Sequence, residues 1–172
     1  MLKLLGALLV ICGSTAVGFF YSEKFKNRTQ QLNEFLRCLY QLQNEIVYTH
    51  TNLPEGLKNL SKTSTFPIGK FFKEISELLE NNKVDTVFDA FTQGFEIEKN
   101  EMFLEKEDIE VIMNFSKTLG ESDIEGHKKI FSLVVENLKK QTQISENIMY
   151  KNVKMYRALG FSTGAALIIL LL

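Results

Sequence analysis

The sequence predicts an all-α protein, an antiparallel bundle of about six helices, and three observations carry that prediction. Apolar residues recur at helical spacing through most of the 172-residue chain. No segment shows the alternation of a strand, and glycine and proline clusters are too sparse for a β architecture. Both ends of the chain are long apolar stretches, so the first and last helices are expected to be long and continuous with membrane-spanning segments.

Composition narrows the class of function. The formal net charge is −1, without the basic excess that nucleic-acid binding requires, so no nucleic-acid partner is predicted. Two cysteines and two histidines leave little for a disulfide scaffold or a metal cage, so neither a metal nor a cofactor is expected. Charged residues make up 24% of the chain, the share of an ordinary folded domain.

Two uncharged segments lie at the ends of the chain. Residues 4–21 contain no charge over 18 residues, about 27 Å as a helix, which is close to the roughly 30 Å hydrocarbon core of a bilayer. Residues 158–172 contain none over 15 residues, about 22 Å as a helix. We therefore predict an N-terminal transmembrane segment at 1–21, a cytoplasmic helical bundle at 22–157 and a C-terminal transmembrane segment at 158–172.

The flanking cations set the orientation of these segments. They lie on the inner side of both segments: Lys24, Lys26, Arg28, Lys151, Lys154 and Arg157. Because cationic flanks stay in the cytoplasm, the central body is predicted to be cytoplasmic, with both termini across the membrane. Reduced thiols are then expected at Cys12 and Cys38.

A cleavable leader is the alternative for the N-terminus. Lys3 and the apolar stretch after it, which includes the small residues Ser14 and Ala16, fit a signal peptide. Cys12 faintly suggests a lipoprotein signal, but Ile11 before it is large where that signal has a small residue. The alternative function is therefore an extracytoplasmic helical lipoprotein or binding module exported by that signal.

The first helix of the body is predicted to run to residue 51. Its apolar positions repeat at spacings of three and four: Leu32, Phe35, Leu39, Leu42 and Ile46. A new helix then begins, because Asn52 can cap it, Pro54 suits its first turn and Glu55 stands at the capping-box position.

Three further helices are predicted in the middle of the chain. Their apolar faces run over residues 68–79, 84–95 and 109–119. Ser64–Pro67 breaks the chain before the first of them, and Asn81–Asn82 ends it. The charged stretch at 96–107 is expected to be a loop or the edge of a helix.

Residues 119–123 are predicted to form a tight corner between helices. Gly120, after Leu119, can close one helix in the left-handed conformation. Ser122 can cap the next helix, which begins at Asp123 and continues without a break to Arg157. Caps explain these residue types, and the same corner is a candidate docking surface.

Small residues recur inside both apolar segments. Ser14 and Gly18 are four residues apart, as are Gly160 and Gly164. This spacing lets helices approach closely in lipid. These four positions are therefore the candidate site of helix packing in the membrane, within one chain or between neighbouring chains.

No motif of an enzyme is present in the sequence, and the chain is predicted not to be one. Gly69–Lys70 lacks the upstream glycine and the hydroxyl residue of a phosphate-binding loop, so ATP hydrolysis is not expected. His50 and His127 are single histidines on amphipathic stretches, and a hydrolase built on them is the enzymatic alternative. Acidic residues between 74 and 89 lie among lysines and predict a solvated face, or an acidic patch for a basic partner.

Residues along the whole chain resemble one known family. The set comprises Lys3 with Gly6, Gly18-Phe19, Arg28, Glu45-Ile46, Tyr48, Leu53-Pro54, Leu119-Gly120, Ser122-Asp123, Lys154, Tyr156, Leu159-Gly160 and Gly164. In this order the sequence resembles the stage III sporulation protein AB family. His127, where the family would have Gln, and Phe91, near an expected Trp, depart from the pattern.

The resemblance implies a scaffold subunit of a channel-like complex that joins the mother cell and the forespore of an endospore-forming bacterium. The family is similar to the inner-membrane platform protein of type II secretion and type IV pilus systems. By that likeness the protein would lie in the outer forespore membrane with its body in the mother-cell cytoplasm.

The resemblance also implies partners. They are the complex's ATPase, which is the stage III sporulation protein AA, other membrane subunits and membrane lipid, and a homo-oligomer is a further candidate assembly. Candidate contacts with these partners are Arg28, Glu45, Tyr48, Lys154 and Tyr156.

Overall fold

The chain is entirely helical in the computed structural model, which describes residues 2–119 and 124–171. Within these ranges there are six α-helices, one short π-helix and no strand, which confirms the all-α class. The bounds are α1 Leu2–Gln43, the π segment Asn44–Tyr48, α2 Leu53–Thr63, α3 Ile68–Glu80, α4 Val87–Glu98, α5 Lys106–Leu119 and α6 Ile124–Leu171.

The chain divides into two compact units. Unit 1 consists of Met1–Thr29 and Ile144–Leu172, and unit 2 consists of Gln30–Gln143. The helices α1 and α6 each contribute residues to both units. The boundaries predicted at 21/22 and 157/158 lie nearer the chain ends than these divisions and stay predictions.

The predicted apolar seam of α1 is buried in unit 2. All five of its residues belong to the core: Leu32, Phe35, Leu39, Leu42 and Ile46. The α-helix ends earlier than expected, however, because the hydrogen bonding changes after Gln43. The amide of Thr49 donates to the carbonyl of Asn44 at 3.2 Å, an i to i+5 bond, and His50 then turns the chain with φ of 53°.

The starts of α2, α3 and α4 follow local sequence signals. The side chain of Asn52 accepts a hydrogen bond from the amide of Glu55 at 3.0 Å, so the predicted cap of α2 is confirmed. The break before α3 is confirmed as well, and α4 begins later than predicted because Thr86 caps it by accepting from the amide of Asp89. The connection from 99 to 105 lies within the predicted charged stretch.

Gly69, at the start of α3, is required by a close backbone approach. A Cβ atom at this position would lie 2.6 Å from the carbonyl oxygen of Ser64 and 3.1 Å from that of Ser61. Such distances are shorter than van der Waals contact, so a larger residue would push α3 away from the end of α2.

Aromatic side chains form the centre of unit 2. The ring of Phe71 lies 5.6 Å from the rings of Phe35 and Phe91 and 4.6 Å from that of Phe95. Most of these pairs meet edge to face, the arrangement that ring quadrupoles favour. Phe91 is fully buried, so the departure from an expected Trp is accommodated inside this cluster.

Unit 1 is an antiparallel pair of helices with hydroxyl groups between them. Thr29 on α1 and Ser145 on α6 are buried, and their hydroxyl oxygens lie 2.7 Å apart. Phe25 and Tyr156 stack with ring centroids 5.8 Å apart. Because residue numbers fall on α1 as they rise on α6 between these two contacts, the helices run in opposite directions.

Two further predictions can be compared with the structure, the terminal membrane spans and the corner at 119–123. Within residues 2–119 and 124–171 we find no helix that is long and apolar enough to cross a membrane, so the spans predicted at 1–21 and 158–172 are not supported. At the corner, Leu119 is the last residue of α5 and is buried. Gly120, Ser122 and Asp123 lie outside the described residues.

Candidate functional site

A row of polar residues on one face of α1 holds α2 in place. We call Glu34, Arg37 and Gln41 of α1, together with Glu45 of the π segment that follows it, the polar row; their spacings of three and four put them on one side. Arg37 pairs with Glu34 through two hydrogen bonds, Nη2 to Oε1 at 2.8 Å and Nε to Oε2 at 2.9 Å. This forked geometry is the strong form of an arginine–carboxylate pair.

The polar row contacts the carboxyl end and the middle of α2. At its carboxyl end, Arg37 Nη2 donates to the carbonyl of Thr63 at 3.1 Å, and Glu34 accepts from the amide of Thr65 at 2.8 Å. In its middle, Asn59 Nδ2 donates to Glu45 Oε2 at 2.9 Å. These bonds satisfy backbone groups left free by the end of α2, so the loop after α2 is fixed against α1.

The same contacts set the ionisation of three groups. The hydrogen bond from Arg37 holds the pKa of Glu34 below its ordinary value, and the carboxylate raises the pKa of Arg37 in return. Burial raises the pKa of the Cys38 thiol to about 11, although Ser64 lies 3.0 Å from its sulfur. Cys38 is therefore a protonated, unreactive thiol at neutral pH.

The π segment displays one aromatic side chain to solvent. Ile46 and Val47 are buried while Tyr48 is 65% exposed. The backbone here is fixed on both sides, by Glu45 bound to Asn59 and by the cap of α2. Tyr48 is therefore an exposed side chain on a backbone held by hydrogen bonds on both sides. Single turns of π-helix are often found at functional sites.

A cleft of about 660 Å³ begins beside the π segment. Its lining combines residues of α2 and the end of α3: Asn52, Pro54, Glu55, Lys58, Asn59, Lys62, Leu79 and Glu80. Lys58 bridges it by contacting both carboxylate oxygens of Glu80 at 3.0 Å. Asn52 and Asn59 line this cleft and also take part in the contacts that fix the π segment.

A third ion pair joins the exposed Lys70 of α3 to a buried carboxylate of α4. Glu98 is 1% exposed, and Lys70 Nζ lies 2.7 Å from its Oε1. The carboxylate raises the pKa of Lys70. Removing the lysine would leave a buried charge uncompensated, so this pair is a structural tie.

The two units carry opposite formal charges, which the net charge of the whole chain conceals. Unit 1 has seven Lys and Arg against two acidic residues, a formal charge of +5. Unit 2 has thirteen against nineteen, a formal charge of −6, and the two together give the chain its −1. In the described residues no group of His, Cys, Asp or Glu is arranged to hold a metal ion.

The predicted contact residues fall in different units. Glu45 and Tyr48 lie together in unit 2, whereas Arg28, Lys154 and Tyr156 belong to unit 1. Lys154 is exposed and Tyr156 stacks on Phe25. Arg28 is 4% exposed, so its side chain offers little surface to a partner.

For the four residues predicted to pack in the membrane, the structure gives only the helix in which each one lies. Ser14 and Gly18 belong to α1, and Gly160 and Gly164 belong to α6; their side-chain surroundings lie outside the described residues. Among functional residues, the prediction missed Glu34, Arg37 and Gln41. The polar spacing along α1 was the available signal for them.

Together these features define a class, an all-helical protein with an aromatic core, an exposed aromatic turn and a basic helix pair. Comparison with known proteins identifies the family. The profile of stage III sporulation protein AB matches residues 3–172. The stage III sporulation protein AB of Bacillus subtilis (strain 168) is 31% identical over all 172 residues and the full length of both chains. The chain belongs to the stage III sporulation protein AB family.

A solved structure supports the same assignment. A structure of stage III sporulation protein AB is similar with a TM-score of 0.66 and 25% identity, over 72% of this chain and 96% of that one. The similarity confirms the family resemblance stated from the sequence, and with it a role as a subunit of a sporulation complex.

Proposed function

We propose that this chain is a non-enzymatic scaffold of a secretion-like channel complex between mother cell and forespore. It docks a cytoplasmic ATPase, the stage III sporulation protein AA, and other membrane subunits of the complex. The observation that carries the proposal is the match to the family over residues 3–172, on a helical body that presents the rigidly held Tyr48.

The proposal includes attachment to the outer forespore membrane, with the body in the mother-cell cytoplasm. It rests on the uncharged sequences at 4–21 and 158–172 and on the cations that flank their inner ends. In this arrangement unit 2 faces the cytoplasm, where a partner ATPase is present.

The proposed docking surface is the π segment with the cleft beside it. An exposed tyrosine on a fixed backbone loses little side-chain entropy on binding, and tyrosine is enriched among residues that dominate binding energy. The formal charge of −6 on unit 2 would also steer a basic surface of the partner toward it.

Binding of the full-length protein in neutral detergent to the purified ATPase tests this surface. Tyr48→Ala should raise the dissociation constant about 30-fold, the effect of losing one dominant contact. Tyr150 is equally exposed, at 65%, but lies in unit 1, so Tyr150→Ala is the matched control and should bind normally. Equal affinity of the wild type and both variants would remove Tyr48 from the interface, and no binding by the wild type would refute docking.

The small residues in the apolar segments remain a separate part of the proposal. Gly160→Leu adds a bulky side chain where close helix approach in lipid is proposed, and it should weaken assembly of the complex while the body stays folded. Co-purification with the other membrane subunits measures the effect, and Leu159→Ile, next to it, is the control. Unchanged assembly of Gly160→Leu would argue against this packing role.

A further inference from the structure

The connection between α2 and α3 exposes a phenylalanine on a backbone that is held on both sides. Phe66 is 65% exposed. Before it, the amide of Thr65 donates to Glu34 Oε1 at 2.8 Å. After it, Pro67 is buried, and its carbonyl accepts from the amide of Phe71 at 3.0 Å. An aromatic ring on a fixed backbone loses little entropy on binding, so Phe66 is suited to anchor a partner.

Three cations lie beside this connection. Arg37 contacts it by donating to Ser64 Oγ at 3.2 Å, and Lys62 and Lys70 each stand four residues from Phe66 in the chain. All three side chains are open to solvent: Lys62 is exposed, and the side chains of Arg37 and Lys70 are 43% and 52% exposed. We call Phe66, Arg37, Lys62 and Lys70 the Phe66 patch.

The carboxylates that pair with these cations lie largely inside. Glu34, bound to Arg37, is 14% exposed, and Glu98, bound to Lys70, is 1% exposed. The patch therefore presents positive charge to solvent, although unit 2 as a whole carries −6. Exposed charges more than about 10 Å apart are screened at 0.1 M salt, so a short acidic segment responds mainly to the local cations. A long polyanion would also meet the acidic remainder of the unit.

We propose that the Phe66 patch binds an acidic segment of the partner ATPase, with an apolar side chain against Phe66 and carboxylates at Lys62 and Arg37. Tyr48 precedes the start of α2 and Phe66 follows its end, so two exposed rings mark the two ends of an 11-residue helix about 16 Å long. A cationic second anchor on an acidic unit fixes the direction in which one partner lies along α2. This inference rests on the proposed docking at Tyr48 and adds a second anchor and the charge of the segment that binds there.

Binding of the full-length protein in neutral detergent to the purified ATPase, at low and high salt, provides the test. Phe66→Ala should raise the dissociation constant about tenfold, the effect of losing one contact at the centre of an interface. Leu133, also in unit 2, is 52% exposed, so Leu133→Ala is the matched control and should bind as the wild type does. Equal affinity of Phe66→Ala and the wild type would overturn the proposal.

The charge of the segment is tested at Lys62, because Arg37 and Lys70 each hold a carboxylate whose release would disturb the fold. Lys62→Glu should raise the dissociation constant about fivefold at low salt and less at high salt. Lys106→Glu makes the same change at an exposed position at the start of α5 and should leave the affinity unchanged. Equal weakening by both variants would reduce the effect to net charge, and tighter binding by Lys62→Glu would show that the segment is basic; either result refutes the proposal.

Two further results separate the proposal from its alternatives. Aromatic rings beside cations also bind single-stranded nucleic acid, so polythymidine is added as a competitor and should not displace the ATPase. Displacement would replace the acidic protein segment with a nucleic acid. If Tyr48→Ala weakens binding while Phe66→Ala and Lys62→Glu do not, the inference fails and docking at Tyr48 stands.

Discussion

Unit 1 and unit 2 are both helical, but they differ in the side chains that lie between their helices. In unit 2 the rings around Phe71 are inside and the charged residues other than Glu98 and Asp108 are largely outside, the arrangement that burial of apolar surface from water produces. In unit 1 the hydroxyls of Thr29 and Ser145 are inside, and Phe20 is outside. The difference teaches that helical periodicity determines which residues share one side of a helix. It does not determine whether that side is buried or exposed, which depends on what surrounds each unit.

Their charges differ in the same way. The acidic unit 2 suits contact with a basic protein surface, and the basic unit 1 suits an anionic one. A whole-chain charge of −1 hides both properties, because the two excesses nearly cancel.

The largest expected effect is on the aromatic core of unit 2. Phe71→Ala should lower the free energy of unfolding by about 3–5 kcal/mol, because it removes the ring that the others contact and leaves a cavity. Phe20→Ala in unit 1 is the matched control and should change it by less than about 0.5 kcal/mol, since that ring is exposed. Urea unfolding of the full chain measures both, and similar losses would contradict the contrast between the units.

The next largest difference in unfolding free energy is expected between two glycine substitutions, one in each unit. Gly69→Ala should cost about 1–3 kcal/mol of unfolding free energy, since its Cβ would collide with backbone oxygens. Gly13→Ala in α1 meets nothing within 4 Å and should be neutral or stabilising by up to about 1 kcal/mol through helix propensity. A neutral Gly69→Ala would show that the loop before α3 yields easily.

The hydroxyl contact of unit 1 should matter less. Ser145→Ala should cost about 1 kcal/mol, because Thr29 keeps its hydrogen bond to the carbonyl of Phe25. Ser162→Ala is the control, since that exposed hydroxyl bonds only within its own helix among the contacts described. Hydrogen exchange of residues 144–156 follows the local effect, and unchanged protection in Ser145→Ala would remove this contact as a source of stability.

The smallest effect concerns pH and belongs to unit 2. The pKa of Glu34 is lower in the folded chain than in the unfolded one, so its contribution to stability is present above about pH 4.5 and is lost as the pH falls through the folded pKa. Glu34→Gln should therefore flatten the fall in unfolding free energy between pH 5 and about pH 3. Glu23→Gln, an exposed change in unit 1, is the control, and identical pH profiles of Glu34→Gln and wild type would contradict the prediction.

Much of the fold was predictable because its signals are local. The seam from Leu32 to Ile46 and the cap by Asn52 depend on residues within a few turns of one another, so spacing alone revealed them. The π segment was not predictable from spacing. The π turn allows the adjacent residues Ile46 and Val47 both to be buried. The need to bury both residues comes from the helices packed around them.

The candidate site was predicted in part. Glu45 and Tyr48 were identified, but their roles were not: Glu45 holds Asn59, and Tyr48 is displayed. Arg28 was predicted as a contact from the family resemblance, and its burial depends on neighbours that spacing does not reveal. Arg37 was overlooked because its partners at Thr63 and Ser64 lie more than twenty residues away.

The sequence by itself determined the helical class, several helix boundaries and the family, because periodicity, caps and ordered motifs are properties of neighbouring residues. Tertiary structure decided which polar side chains pair, why Gly69 admits no side chain, and how charge divides into a basic and an acidic unit. Those outcomes require residues far apart in the chain to meet, and their contact energies exist only in the folded chain.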